Sequence, residues 1–212
     1  MSTAENRIRE QMVVHGESLY RRGLVPGSSG NLSVRVDDGI LVTPTNSCMG
    51  RLDPATIAKL DLTGKHKSGD PPSKEAFLHL AFYRQRTDTT SVAHLHSCHA
   101  VALACREDID PEQPIAAMTP YFVTKLGRLK LLPYFPPGDK ALADAVEAVA
   151  QDYRSILLAN HGPVVAGRDL DAAVYAIEEL EEAAKLQFML EGKPTRLLSE
   201  QQIRDLADRF TS

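Results

Sequence analysis

The chain has 212 residues, 43% of them apolar and 25% charged, which is the make-up of an ordinary soluble globular protein long enough to bury a sizeable core. A net charge of −4 with no basic stripe excludes a general nucleic-acid binder, and no apolar run approaches the roughly 20 residues of a membrane span. The amino terminus lacks a signal-peptide core, and Cys48, Cys98 and Cys105 make an odd count with no disulfide pattern, so we expect a cytoplasmic protein folded as a single domain over residues 1–212.

Ile8, Met12, Leu19 and Tyr20 recur at near-helical spacing and predict a helix over 4–22, ended by Gly23. Leu32 to Val36 alternates as a strand, Asp37-Asp38-Gly39 makes a turn, and Ile40 to Thr43 returns as the hairpin partner. After the loop Gly69-Asp70-Pro71-Pro72, Ser73 is placed as the cap of a helix over 74–86. A strand over 91–96, a short helix over 99–106, a strand near 129–133 and a helix over 139–151 come next. Strands 155–159 and 163–166 flank the turn Asn160-His161-Gly162. Residues 169–190, rich in Ala, Leu and Glu, form the longest helix, stopped by Gly192 and Pro194, and an amphipathic helix covers 199–210. Short hairpin strands with helices between them predict an α/β sandwich, a mostly antiparallel sheet covered by helices, rather than a doubly wound nucleotide fold.

His94-Leu95-His96 carries the most chemistry. Residues i and i+2 share one face of a strand, so this segment aims two imidazoles at one point. His161, from a distant turn, supplies a third. Three histidines make a zinc site that keeps an open position for substrate or water; the short His-x-His pattern is equally compatible with unrelated surface histidines. Cys98 lies two residues further on: were the strand to continue it would share the histidine face and could ligate metal, but the chain is expected to turn into segment 99–105, where it reads as a packed small hydrophobe.

Glu75 falls in the opening turn of its helix, where the backbone dipole favours a carboxylate, and a carboxylate beside zinc can act as ligand or as acid–base group. Gly27-Ser28-Ser29-Gly30-Asn31-Leu32-Ser33 can form an anion nest before a strand, although a plain tight loop fits it too. Thr43-Pro44-Thr45-Asn46 and Ser73-Lys74 add hydroxyls and N–H groups suited to phosphate. Tyr121, after Thr119-Pro120, is a candidate proton donor or a buried structural residue. His15, His66, His79 and His99 read as structural or solvent-facing, with His99 also a candidate neighbour of the metal ligands.

Together, Gly-Ser-Ser-Gly-Asn-Leu-Ser (27–33), Thr-Pro-Thr (43–45), Ser-Lys-Glu (73–75), His-x-His (94 and 96) and Asn-His-Gly (160–162) resemble the class II aldolase/adducin family, in the family's order. The resemblance implies a three-layer α/β/α sandwich with one Zn2+ per subunit, and a homotetramer with active sites at subunit interfaces. It implies His94, His96, His161 and Glu75 as metal ligands, Glu75 also as the catalytic group, and Gly30, Asn31, Thr45, Asn46, Ser73 and Lys74 as phosphate contacts. Asn46 stands where sugar-phosphate aldolases usually carry glycine. Segments 46–54, 68–75, 118–129 and 133–139 are most similar to the 3-oxo-tetronate 4-phosphate decarboxylase branch. That branch implies loss of CO2 from a phosphorylated four-carbon 3-oxo sugar acid, giving dihydroxyacetone phosphate through a metal-stabilised enediolate, with Glu75 returning the proton and Tyr121 assisting. The same family contains fuculose- and ribulose-phosphate aldolases and adducin-like binding domains, which stand as the alternatives.

Overall fold

Apolar alternation along the strands decides the layering. Ile40, Val42, Val92, Ile156, Leu158, Val164 and Ala166 enter one buried cluster, while Leu41, Ala93, Leu157 and Val165 between them enter a second. Successive residues of a strand face opposite sides, so the sheet is covered on both. The computed structural model describes residues 3–136 and 138–210. The ends of the expected 1–212 domain (Met1, Ser2, Thr211 and Ser212) and Pro137 of segment 133–139 lie outside the described residues.

In chain order the elements are α1 (Thr3–Arg21), β1 (Asn31–Val36), β2 (Gly39–Val42), a 3-10 turn (Met49–Arg51), β3 (Ala58–Leu60), β4 (His66–Ser68), α2 (Ala76–Gln85), β5 (Ser91–His94) and α3 (Cys98–Ala104). A π-helical turn (Phe122–Leu126), β6 (Leu129–Leu132), α4 (Lys140–Ala150), β7 (Ser155–Leu158), β8 (Gly162–Gly167), α5 (Leu170–Leu190) and α6 (Glu200–Phe210) follow. One eight-stranded sheet runs β4-β3-β2-β1-β5-β8-β7-β6. Every pairing is antiparallel except that of β6 with β7, so the sheet is mixed. Leu78 and Phe82 of α2 and Leu142 and Val146 of α4 pack on one face. Met12 and Leu19 of α1, Leu103 of α3 and Ile177 and Leu180 of α5 pack on the other, completing the expected three-layer α/β/α sandwich. Among the described residues no helix is long and apolar enough to cross a membrane.

Several boundaries differ from expectation for local reasons. Helix α2 begins at Ala76, because Ser73, Lys74 and Glu75 form a turn: Ala76 N–H donates to the Ser73 carbonyl at 3.1 Å and Glu75 N–H to Ser73 Oγ at 3.2 Å. Glu75 thus takes the capping place expected of Ser73. Strand β5 stops at His94 rather than residue 96. Cys98 opens α3 on the exposed side, so it neither packs as a buried hydrophobe nor joins the histidine cluster. Strands β3 and β4 were not expected; each has three residues, and β4 is exposed throughout.

The register gathers the chemistry at one end of the sheet's middle. Asn31, the first residue of β1, pairs with His94, the last of β5, and His94 pairs across with Val164 near the start of β8.

Candidate metal centre

His94 has the parity of Val92 and therefore faces the α2 layer, where it is 0% exposed. Its Nδ1 lies 2.8 Å from the carbonyl oxygen of Pro163. A carbonyl only accepts, so Nδ1 carries the ring proton and Nε2 presents a bare lone pair. Leu95 then enters the opposite cluster, which returns His96 to the side of His94. His161 sits in the β7–β8 turn, held by Asn160 in the left-handed region (φ 56°). A Cβ on Gly162 would stand 2.4 Å from the Leu95 carbonyl oxygen, so only glycine lets this turn close on the histidine segment.

The three rings converge through Nε2, which lie 3.0 Å (His94–His96), 3.2 Å (His94–His161) and 3.1 Å (His96–His161) apart. Glu75 closes the set, with Oε1 3.0 Å from His161 Nε2 and Oε2 3.4 Å from His94 Nε2. A tetrahedral site with bonds of about 2.0–2.1 Å spaces its nitrogens about 3.3–3.4 Å apart, within a few tenths of an ångström of these separations. Neutral imidazoles whose lone pairs face each other at this range repel unless a cation lies between them. The residues therefore fit a divalent metal on chemical grounds, and an imidazole-rich set suits zinc among the abundant ones.

Burial would raise the Glu75 pKa, but the hydrogen bond with His161, the neighbouring imidazoles and the Asn31 amide hold it well below the ordinary carboxylate range. Burial pushes His94 down to about 3 and also lowers His96, which suits neutral ligands. Burial likewise pushes His79 from 6.5 down to about 4. Acid therefore protonates His79 in the unfolded chain before it does so in the folded one. The metal-free protein should hold its full stability above about pH 6.5 and lose it as pH falls toward 4, by about 3 kcal/mol from His79 alone. Urea midpoints at pH 7 and pH 4 measure this, and an unchanged midpoint would contradict a neutral, buried His79.

The expected phosphate segments lie side by side. Ser73 N–H donates to the Thr43 carbonyl at 3.1 Å and Thr45 N–H to the Pro71 carbonyl at 2.9 Å, while Thr43 N–H donates to Leu32 of β1 at 3.0 Å. Gly30 sits at φ 73°, where a Cβ would stand 2.9 Å from Val25 and 3.0 Å from the His94 carbonyl oxygen. Thr45 and Ser73 are half-buried, Asn46 (φ 57°) and Lys74 are exposed, and Lys74 has no ion pair among the described residues. Asn31 has a further engagement: its amide nitrogen donates one N–H to Glu75 Oε2 at 2.8 Å and its oxygen meets His79 Nε2, which leaves its second N–H uncommitted by these two bonds. Tyr121 is 64% exposed, stacked under the Lys125 ammonium, and no hydrogen bond ties its hydroxyl to the cluster among the described residues. His99 bonds to Glu181 of α5, whose carboxylate accepts from His99 and Ala100 N–H at the start of α3. A cleft of about 530 Å³, lined by Phe122, Leu126, Arg128, Arg154 and Ile203 among others, holds none of these residues.

The Class II Aldolase and Adducin N-terminal domain family matches residues 10–188. The chain belongs to this family. A 3-oxo-tetronate 4-phosphate decarboxylase from Pectobacterium atrosepticum is 44% identical over 206 residues, 97% of this chain and 94% of that protein. The crystal structure of YgbL from Escherichia coli superposes with a TM-score of 0.94 at 43% identity, covering 96% of this chain and 99% of that one. An L-fuculose phosphate aldolase from Haemophilus influenzae stands further off, 34% identical over 196 residues, 91% of this chain and 88% of that protein.

For this class II aldolase-fold protein, sequence reasoning missed the partnership of Asn31 and His79 with Glu75. A signal was present: Glu75, the cap of α2, and His79 within it are four residues apart.

Proposed function

We propose that this protein is a lyase that decarboxylates a 3-oxo-tetronate 4-phosphate to dihydroxyacetone phosphate and CO2, using one zinc ion held by His94, His96 and His161, with Glu75 as the fourth group. The observation that carries the reading is the convergence of three Nε2 atoms and a carboxylate within 4.8 Å of one another, in a chain whose 44%-identical relative bears that activity over nearly its full length. A bound cation supplies positive charge beside the carbonyl and hydroxyl oxygens that become an enediolate when the carboxylate leaves.

The protein's own groups do the rest. Gly30, Thr45, Asn46, Ser73 and Lys74 take the phosphate through N–H, hydroxyl and ammonium groups, turning its binding into orientation. Asn31 gives one amide N–H to Glu75 and offers its second to the phosphate. Breaking the bond between C1 and C2 leaves its electron pair in the C2–C3 enediolate, and Glu75, ionised at rest, takes a proton from solvent and passes it to C2. Tyr121 stands apart from its own cluster on an exposed turn, and we assign it an assisting role in a homotetramer whose active sites lie between subunits. The setting is the cytoplasm, and residues 1–212 act as one domain.

The test incubates zinc-loaded protein with 3-oxo-tetronate 4-phosphate and follows dihydroxyacetone phosphate through a coupled reductase, against a control without enzyme because β-keto acids lose CO2 unaided. Product well above that background is the expected result. No excess product from metal-replete protein would sink the decarboxylase reading and turn the search to aldol cleavage of ketose phosphates.

A further inference from the structure

A buried chain of hydrogen bonds runs back from Glu75 into the core. Asn31 Nδ2 reaches Glu75 Oε2 at 2.8 Å, Asn31 Oδ1 meets His79 Nε2, His79 Nδ1 lies 2.7 Å from Ser33 Oγ, and Ser33 Oγ lies 2.7 Å from the Tyr83 hydroxyl. Asn31, Ser33, His79 and Tyr83 are at most 5% exposed. His79 and Tyr83 lie four residues apart on α2 and Glu75 caps that helix four residues before His79, while Asn31 and Ser33 are i and i+2 on β1, so the chain zigzags between one helix side and one strand face.

The carboxylate sets the sense of every bond. An ionised carboxylate only accepts, so Asn31 donates its N–H to Glu75 and turns its oxygen to His79. His79 must then carry its proton on Nε2, which leaves Nδ1 to accept from the Ser33 hydroxyl; Ser33 in turn accepts from Tyr83. Each group has one role, and none can reverse without breaking its neighbour's bond. The chain occupies Oε2 of Glu75 only. Oε1 keeps its 3.0 Å approach to His161 and no bond from the chain.

We propose that His79 is a positioning residue: acting through Asn31, it fixes the Oε2 side of the Glu75 carboxylate so that Oε1 is the oxygen presented to the metal and to the substrate carbon. Its catalytic consequence rests on the decarboxylase reading above, whereas the geometry it imposes on Glu75 does not. Groups that orient metal-site residues commonly matter 10- to 100-fold when removed.

Two substitutions and two readouts test it. His79→Leu removes the donor to Asn31 at similar volume, and His79→Gln restores an N–H where imidazole Nε2 stands. With wild-type zinc content, His79→Leu should lose kcat about 10-fold or more while KM stays within about twofold, and His79→Gln should regain most of the loss. The second readout is the visible absorption of cobalt(II) titrated into metal-free protein, which should differ from wild type in His79→Leu and return toward it in His79→Gln. Should His79→Leu fail to fold, Ser33→Ala takes its place, with an expected kcat loss of about two- to tenfold, the equivalent of one hydrogen bond.

Wild-type kcat and cobalt spectrum in His79→Leu, or in Ser33→Ala in its stead, would overturn the proposal, as would a His79→Gln protein as impaired as His79→Leu. A wild type without decarboxylase activity would sink the reaction instead, and the cobalt spectra would still decide the positioning. A wild type that binds no cobalt overturns both.

Discussion

His94→Ala is expected to lose metal and turnover together, with kcat/KM falling about 10³-fold or more, the rate equivalent of the several kcal/mol a bound cation supplies to a developing oxyanion. His94 is the ligand to test because it is the most constrained of the three. It is fully buried, its Nδ1–H is held by the Pro163 carbonyl, and its Nε2 lies within 3.2 Å of both other imidazoles. That ring needs no reorganisation to bind, so its loss removes a preset donor and leaves the Pro163 carbonyl without its partner, at a cost of about 1–3 kcal/mol for a buried group.

Zinc per chain, counted by atomic absorption, measures the first half of the result. A turnover-free readout comes from linkage, since a ligand that binds only the folded state raises its stability. The wild-type melting point should climb with added zinc, and that of His94→Ala should stay flat. Removing one of three mutually repelling lone pairs also relieves strain in the metal-free protein, so the two proteins should differ more with zinc than without it. Retained stoichiometric zinc in the variant would reject His94 as a ligand.

The parts legible in the sequence were those with short-range periodicity. The 19-residue α1 and 21-residue α5 announce themselves through apolar spacing and their end residues. His94 and His96 share a side because Leu95 between them must go to the opposite core, and an Asn-His-Gly turn between two apolar strands marks His161. What escaped notice depends on register. Strands β3 and β4 have three residues each, too few for a period, and form only because β2 offers an edge. The parallel pairing of β6 with β7 brings residues 129 and 155 together across the whole of α4.

The same limit explains why the partners of Asn31 were not foreseen. In sequence it sits inside a glycine–serine loop that resembles an anion nest. In the fold it is the first residue of β1 and faces an α2 residue 48 positions away, which brings its amide to His79 and Glu75 as well. Read alone, His79 is one apolar-flanked histidine in a helix; its partners come from another element, and no local pattern announces them. Tyr121 stands just before the π-helical turn, exposed and with no hydrogen bond to the cluster among the described residues.

Glu75→Gln is expected to keep zinc and to lose turnover by about 10²-fold or more, the usual worth of a positioned acid–base group. The amide has the size of the carboxylate and can still accept the Asn31 N–H at the Oε2 position, so the site should keep its shape. What it cannot do is carry a proton to carbon and take another from solvent. Because the three histidines and the proposed phosphate segments are untouched, kcat should fall with little change in KM, the pattern of a group needed in the transition state rather than for binding. A second signature follows from the geometry. Glu75 approaches from the α2 side only, so in heavy water the wild-type protein should place deuterium on one face of the carbon that held the carboxylate. An enediol quenched by bulk solvent has no such preference, and the glutamine variant should give both orientations at its residual rate. Near-normal turnover would remove Glu75 from the reaction. Low turnover with single-face labelling intact would move the proton to another group fixed on the same side.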